Sequence, residues 1–77
     1  MGLSGTIITE HAVEQMAKRQ IVEDDVRCIL ADPLEVLPVR TGRVVAHGII
    51  QADAPEHDYL LRLFVDVDRQ PLELVTA

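Results

Sequence analysis

Ile8-Thr9-Glu10-His11-Ala12-Val13-Glu14-Gln15-Met16-Ala17-Lys18-Arg19-Gln20-Ile21 is the stretch that decides the fold. Thr9 reads as an N-cap, because its hydroxyl can accept from the unpaired backbone N–H groups of a first helical turn. Glu10 then sits beside the positive end of the helix dipole, and Ile8 is placed to staple against Val13. These signals predict a helix over 10–19. Val13, Met16 and Ala17 recur at helical spacing as its core stripe, extended by Ile21 as the chain leaves.

A second helix follows at once. Ile21 and Val26 form its staple pair, and Glu23, Asp24 and Asp25 favour its N-terminus through the dipole, although Val22 is a poor cap. Val22, Val26, Ile29 and Leu30 share one face. Pro33 forbids a helical Asp32 and supplies no N–H, so this helix ends near Ala31.

Beyond Pro33 the period changes. Runs over 34–37, 43–51, 59–68 and 72–77 have β-type patterning, separated by Thr41-Gly42, by the acidic, proline-containing stretch 52–58, and by Arg69-Gln70. A tight turn at Arg69-Gln70 would set Val67 against Leu72, Val65 against Leu74 and Leu63 against Thr76, giving one apolar face for the helices to cover. Asp66 would then oppose Glu73. Arg62, Phe64 and Val75 fall on the other face, where Phe64 and Val75 are candidates for a homodimer contact through an open sheet face. The expected architecture is α+β, two N-terminal helices on one face of an antiparallel sheet of three to four strands.

The chain has 77 residues, 7 Lys and Arg against 13 Asp and Glu, and a formal net charge of −6. That length allows a single domain over 1–77, with only about 60% of the unfolded surface buried. Residues 1–5 read as a loose lead-in. The acidic balance argues against a general nucleic-acid binder, which needs a basic patch. A single cysteine fits a reducing compartment, and no segment reaches the roughly 18 apolar residues of a membrane span, so a cytoplasmic protein with no membrane association is expected.

Three constellations bear on chemistry. His11, His47 and His57 lack the two-histidine spacing of a helical metal site, so neither metal nor other cofactor is expected. Cys28 falls late in its helix, where the dipole does not lower a thiol pKa, and reads as a passive thiol. His11, Gln15 and Lys18 recur at i, i+4 and i+7 as a polar stripe flanked by Arg19, where a histidine can act as acid or base and cations can hold a phosphate.

The pattern Ile8-Thr9-x-His11-Ala12-x-x-x-Met16-x-x-Arg19-x-Ile21, with Val26, Pro33, Gly42-Arg43, Leu61-Arg62-Leu63 and the terminal Leu74-Val75-Thr76, resembles a bacterial family of small domains of unknown function. That family typically opens I-T-x-H-A-x-x-R-M-x-x-R-G-I and is thought to be related to the RelE and BrnT type toxins. The resemblance implies a RelE-like fold and, at full activity, metal-independent cleavage of mRNA, neutralised by an antitoxin protein. It carries over His11, Arg19, Arg43 and Arg62 as candidate catalytic residues. Such cleavage needs a base for the 2′-hydroxyl, an acid for the leaving oxygen and cations around the phosphorane charge.

Three departures qualify it. Gln15 stands where the family commonly has arginine, Gln20 where it commonly has glycine, and the sequence ends at Ala77 where many relatives continue into a tyrosine- and lysine-containing tail. Two functions are therefore expected of this chain: a weakened or non-catalytic interaction or regulatory module, or a toxin-like endoribonuclease with RNA as substrate.

Overall fold

The computed structural model describes residues 2–50 and 59–76. Seven elements follow in order: β1 (Ile7–Ile8), α1 (Glu10–Lys18), α2 (Glu23–Ala31), β2 (Glu35–Arg40), β3 (Arg43–Ile50), β4 (Tyr59–Asp66) and β5 (Glu73–Thr76). The strands make one five-stranded sheet in the order β1-β5-β4-β3-β2.

Thr9 caps α1 as its chemistry dictates. Its Oγ1 accepts from the Ala12 N–H at 3.3 Å and donates to the Leu74 carbonyl at 2.7 Å, while its own N–H donates to that same carbonyl at 3.1 Å. One residue therefore starts the helix and ties it to β5. This anchor rolls the line through Ala12 and Met16 onto the sheet and leaves Val13 49% exposed and Ala17 exposed, so the expected stripe is displaced by one position. Ile8 and Ile21 pack against the core at either end of the helix.

The helix closes through Gln20. At φ +57° it is, among the described residues, the non-glycine residue in the left-handed region. That turn lets the Ile21 N–H donate to the Met16 carbonyl at 2.9 Å and the Gln20 N–H to the Ala17 carbonyl at 3.3 Å, satisfying last-turn carbonyls in the manner of a Schellman ending. α2 then buries Val26, Ile29 and Leu30 and stops at Ala31, as Pro33 requires, while Val22 stays exposed.

The sheet departs from the expected antiparallel set of three to four strands. β1 pairs parallel with β5, Ile7 opposite Glu73 and Ile8 opposite Leu74, which makes the sheet mixed. A two-residue strand has no periodicity to read, and its partner lies at the far end of the chain. β2 continues past Leu37 to Arg40 and takes in Pro38, which an edge strand tolerates because its outer side is unpaired.

Between β4 and β5, Val65 stands opposite Leu74 and Asp66 opposite Glu73 as anticipated. The register then shifts, and Thr76 faces Phe64 in place of Leu63. Val75 is the extra residue of this bulge. Val67 does not pair with Leu72 either; its N–H donates to the Gly42 carbonyl at 2.9 Å, so the connection to β5 is longer than a tight turn.

Ala12, Met16, Val26, Ile29 and Leu30 from the helices meet Ala46, Leu61, Leu63, Val65 and Leu74 from the sheet in one core. Gly48 is where α2 comes closest to β3: a Cβ there would fall against Ile29 Cγ1, and within 2.6 Å of its Cγ2. The N-terminal segment is docked, not loose. Leu3 is buried, its N–H donating to the Leu30 carbonyl at 2.6 Å, and the buried Thr6 Oγ1 donates to the Leu3 carbonyl at 2.5 Å. Among the described residues no helix is long and apolar enough to cross a membrane.

Candidate functional site

Strand alternation sorts the sheet into two faces. Val44, Ala46, Gly48, Leu61, Leu63 and Val65 lie under the helices. The opposite face carries the other half of each strand, and registers arrange it in rows that run across the sheet. Arg40, Arg43, Asp66 and Glu73 form an ionic row; Leu37, Val45, Phe64 and Thr76 an apolar one. Glu35, His47 and Arg62 make a second polar row, and Ile49 and Leu60 a second apolar pair.

Among the described residues no helix covers this outer face. Leu37 is 41% exposed, Ile49 54% and Leu60 57%, while Phe64 is half-buried. Val45 is buried by its neighbours on the outer face, outside the main core. Both alternate sets of β3 residues contain apolar side chains, as do both sets in β4; in β3 the inner set is marked by small Ala46 and Gly48, which let α2 approach.

The four candidate catalytic residues occupy different places. His11 is exposed in the first turn of α1, in the helical layer. Arg43 and Arg62 belong to the outer face, two rows apart, or roughly 13 Å along the strand at about 3.3 Å per residue. Arg43 is engaged: its Nε donates to Asp66 Oδ1 at 2.6 Å. Arg19, the C-cap of α1, lines with Arg62, Leu60, Leu61 and Phe64 a concavity of about 310 Å³. The structure thus brings Arg19 and Arg62 together and keeps His11 and Arg43 apart from them.

Asp66 is the centre of the strongest electrostatic feature. It is only 5% exposed, and Arg69 Nη2 approaches its Oδ2 at 3.5 Å, adding to the contact from Arg43. The hydrogen bond from Arg43 holds the Asp66 carboxyl below the usual carboxylate range, against the opposing effect of burial, with Arg69 and Arg40 adding to the field. The same bond raises the Arg43 guanidinium. Arg69 extends the network to Asp68 at 3.0 Å and Glu73 at 3.3 Å.

A second concavity, of about 590 Å³, lies between α2 and the end of β3 and is lined by Asp25, Cys28, Ile29, Asp32, Leu34, Ile49 and Ile50. Cys28 is exposed there. His47 Nδ1 lies 3.4 Å from Glu35 Oε1, an isolated cross-strand contact. Among the described residues no three His, Cys, Asp or Glu side chains group as metal ligands. His57 and the stretch 52–58 fall outside the described residues.

No curated protein and no solved structure matches the chain. A family model described as a domain of unknown function, DUF4258, matches residues 8–77, from the residue before the Thr9 cap through both helices and the strands that follow. On that match, which spans nearly all of the sequence, the chain belongs to the DUF4258 family.

Proposed function

We propose that this protein is a non-catalytic interaction module of RelE-like ancestry, acting in the cytoplasm and pairing with a second copy of itself through the outer face of its sheet. The observation that carries this reading is the uncovered face itself, where Leu37 is exposed between the two polar rows and Ile49 and Leu60 are exposed beyond the second. Apolar groups gathered on one face, rimmed by charge, are the usual composition of a protein contact. The RelE-like ancestry rests on the resemblance of the opening motif. The departure at Gln15, where the resembling family commonly has arginine, and the net charge of −6 favour a partner other than RNA.

Sedimentation of the full chain over micromolar concentrations tests this directly. A concentration-dependent dimer is expected, and Ile49→Lys together with Leu37→Lys is expected to give a monomer with unchanged far-ultraviolet circular dichroism. A strictly monomeric protein sinks the reading.

One observation favours a second reading, a toxin-like endoribonuclease neutralised by an antitoxin: Arg19 and Arg62 line one concavity, as two cations on a phosphate would. In that reading His11, Arg19, Arg43 and Arg62 remain the catalytic candidates. Cleavage of a defined RNA by the full chain, reduced at least about tenfold by Arg62→Ala, is the expected result. Intact RNA, and growth unaffected by expression, would dismiss it.

A further inference from the structure

We infer, resting on the outer-face pairing proposed above, that two copies of this chain meet about a two-fold axis running along β3, so that Glu35 of each copy pairs with Arg62 of the other. The polar row decides the arrangement. Glu35 lies opposite His47 on β2 and β3, and His47 opposite Arg62 on β3 and β4, so the row runs from a carboxylate through a central imidazole to a guanidinium. Both ends of the row are exposed. Among the described residues Arg62 makes no ion pair, and Glu35 has only the 3.4 Å approach of its Oε1 to His47 Nδ1.

A two-fold contact is self-complementary, each residue meeting a second one that meets it in return. An axis parallel to the strands, over Val45 and His47, keeps every row at its own level, reverses its direction and exchanges β2 with β4. Glu35 then stands over Arg62 of the second copy, twice, and Leu37 over Phe64 of the second copy, while Val45 and Ile49 meet their own counterparts. Sheets packed face to face cross at about 30°, which moves a group one strand, about 4.8 Å, from the axis by only about 2.5 Å, well within the reach of a glutamate and an arginine. In the ionic row Arg43 meets its own counterpart, already neutralised by Asp66 at 2.6 Å, and Arg40 comes to the Asp66 side of the second copy. Moved to lie between β3 and β4, the axis sets Arg62 on His47 and takes Glu35 away from Arg62. An axis across the strands does worse at each position. Through the polar row it sets like charges together, through the apolar row it leaves Ile49 and Leu60 beyond the ends of β3 and β4 of the second copy, and between the two it lays apolar on polar.

Charge exchange in the full chain tests the axis. In Glu35→Arg and in Arg62→Glu, taken singly, both contacts between copies become repulsive, and sedimentation equilibrium is expected to show the dimer weakened at least about tenfold in each. Mixed in equal amounts, the two variants restore attraction at both contacts, and so does the double variant Glu35→Arg with Arg62→Glu on its own. Both are expected to associate within about threefold of the parent chain. An amide spectrum of each variant checks its fold. Single variants that dimerise as the parent does, or a mixture no tighter than its components, overturn the inference and leave outer-face pairing standing, because Ile49→Lys with Leu37→Lys tests that pairing separately. A parent chain that stays monomeric removes both.

Discussion

Arg43 and Asp66 stand directly opposite each other on β3 and β4 and join at 2.6 Å, so the ion pair that closes the outer face is also a register pin for the hairpin. Because the hydrogen bond from Arg43 holds Asp66 below its ordinary value, the stabilisation it contributes is complete above the unfolded carboxyl pKa, about 3.9, and is lost as pH falls through the lower folded value. Denaturant titrations from pH 7 to pH 2 are expected to show an acid limb below about pH 4 that Asp66→Asn flattens. An acid limb unchanged in Asp66→Asn would place the sensitivity elsewhere.

Gly48→Ala is expected to destabilise the fold by about 1–3 kcal/mol, because the new methyl group meets Ile29 where α2 lies closest to the sheet. Combining it with Ile29→Ala should cost less than the sum of the two single changes, because alanine removes the Cγ1 and Cγ2 atoms that the new methyl group meets. Chemical unfolding of the two single variants and the double variant measures that coupling.

Gln20→Gly should stabilise the protein by up to about 1 kcal/mol, since φ +57° costs a side-chain-bearing residue about that much and glycine almost nothing. Gln20→Ala should leave stability within a few tenths of a kcal/mol of the parent. A shift of the urea midpoint reads both changes. The position shapes the helix ending, through the Gln20 and Ile21 N–H bonds to the Ala17 and Met16 carbonyls.

Thr9→Ala removes the N-cap and the hydroxyl's bond to the Leu74 carbonyl together, leaving the backbone one, and a loss of about 1–2 kcal/mol is expected. Thr9→Ser keeps both bonds and should retain most of the stability. If α1 is tethered as described, hydrogen exchange in Thr9→Ala will accelerate at the Ala12 and Val13 amides before it does at Leu63.

Much of the architecture is local and was legible. Thr9, Pro33 and the acidic first turn of α2 act within a few residues of themselves, and both helices begin and end within a residue of where those signals put them. Non-local features were not. β1 exists only because Leu74 is present to receive it, the bulge at Val75 leaves no mark on the β4 or β5 pattern, and the roll of α1 toward Ala12 is set by an anchor on the far end of the chain. The candidate site followed the same division. Arg19 and Arg62 were separable as cations from the sequence, but their proximity depends on how α1, anchored at Thr9 on β5, lies beside the sheet, and the engagement of Arg43 by Asp66 depends on the β3–β4 register.

Pro38 has a consequence for how copies of this protein can meet. It puts a residue without an N–H, followed by a register shift before Arg40, in the strand that forms one border of the sheet, while the other border is the two-residue β1. Neither border offers a long regular ladder. Growth by joining sheets side to side, the route to open-ended filaments, is thereby disfavoured at both borders, so the outer-face contact proposed above would close as a pair that stops at two.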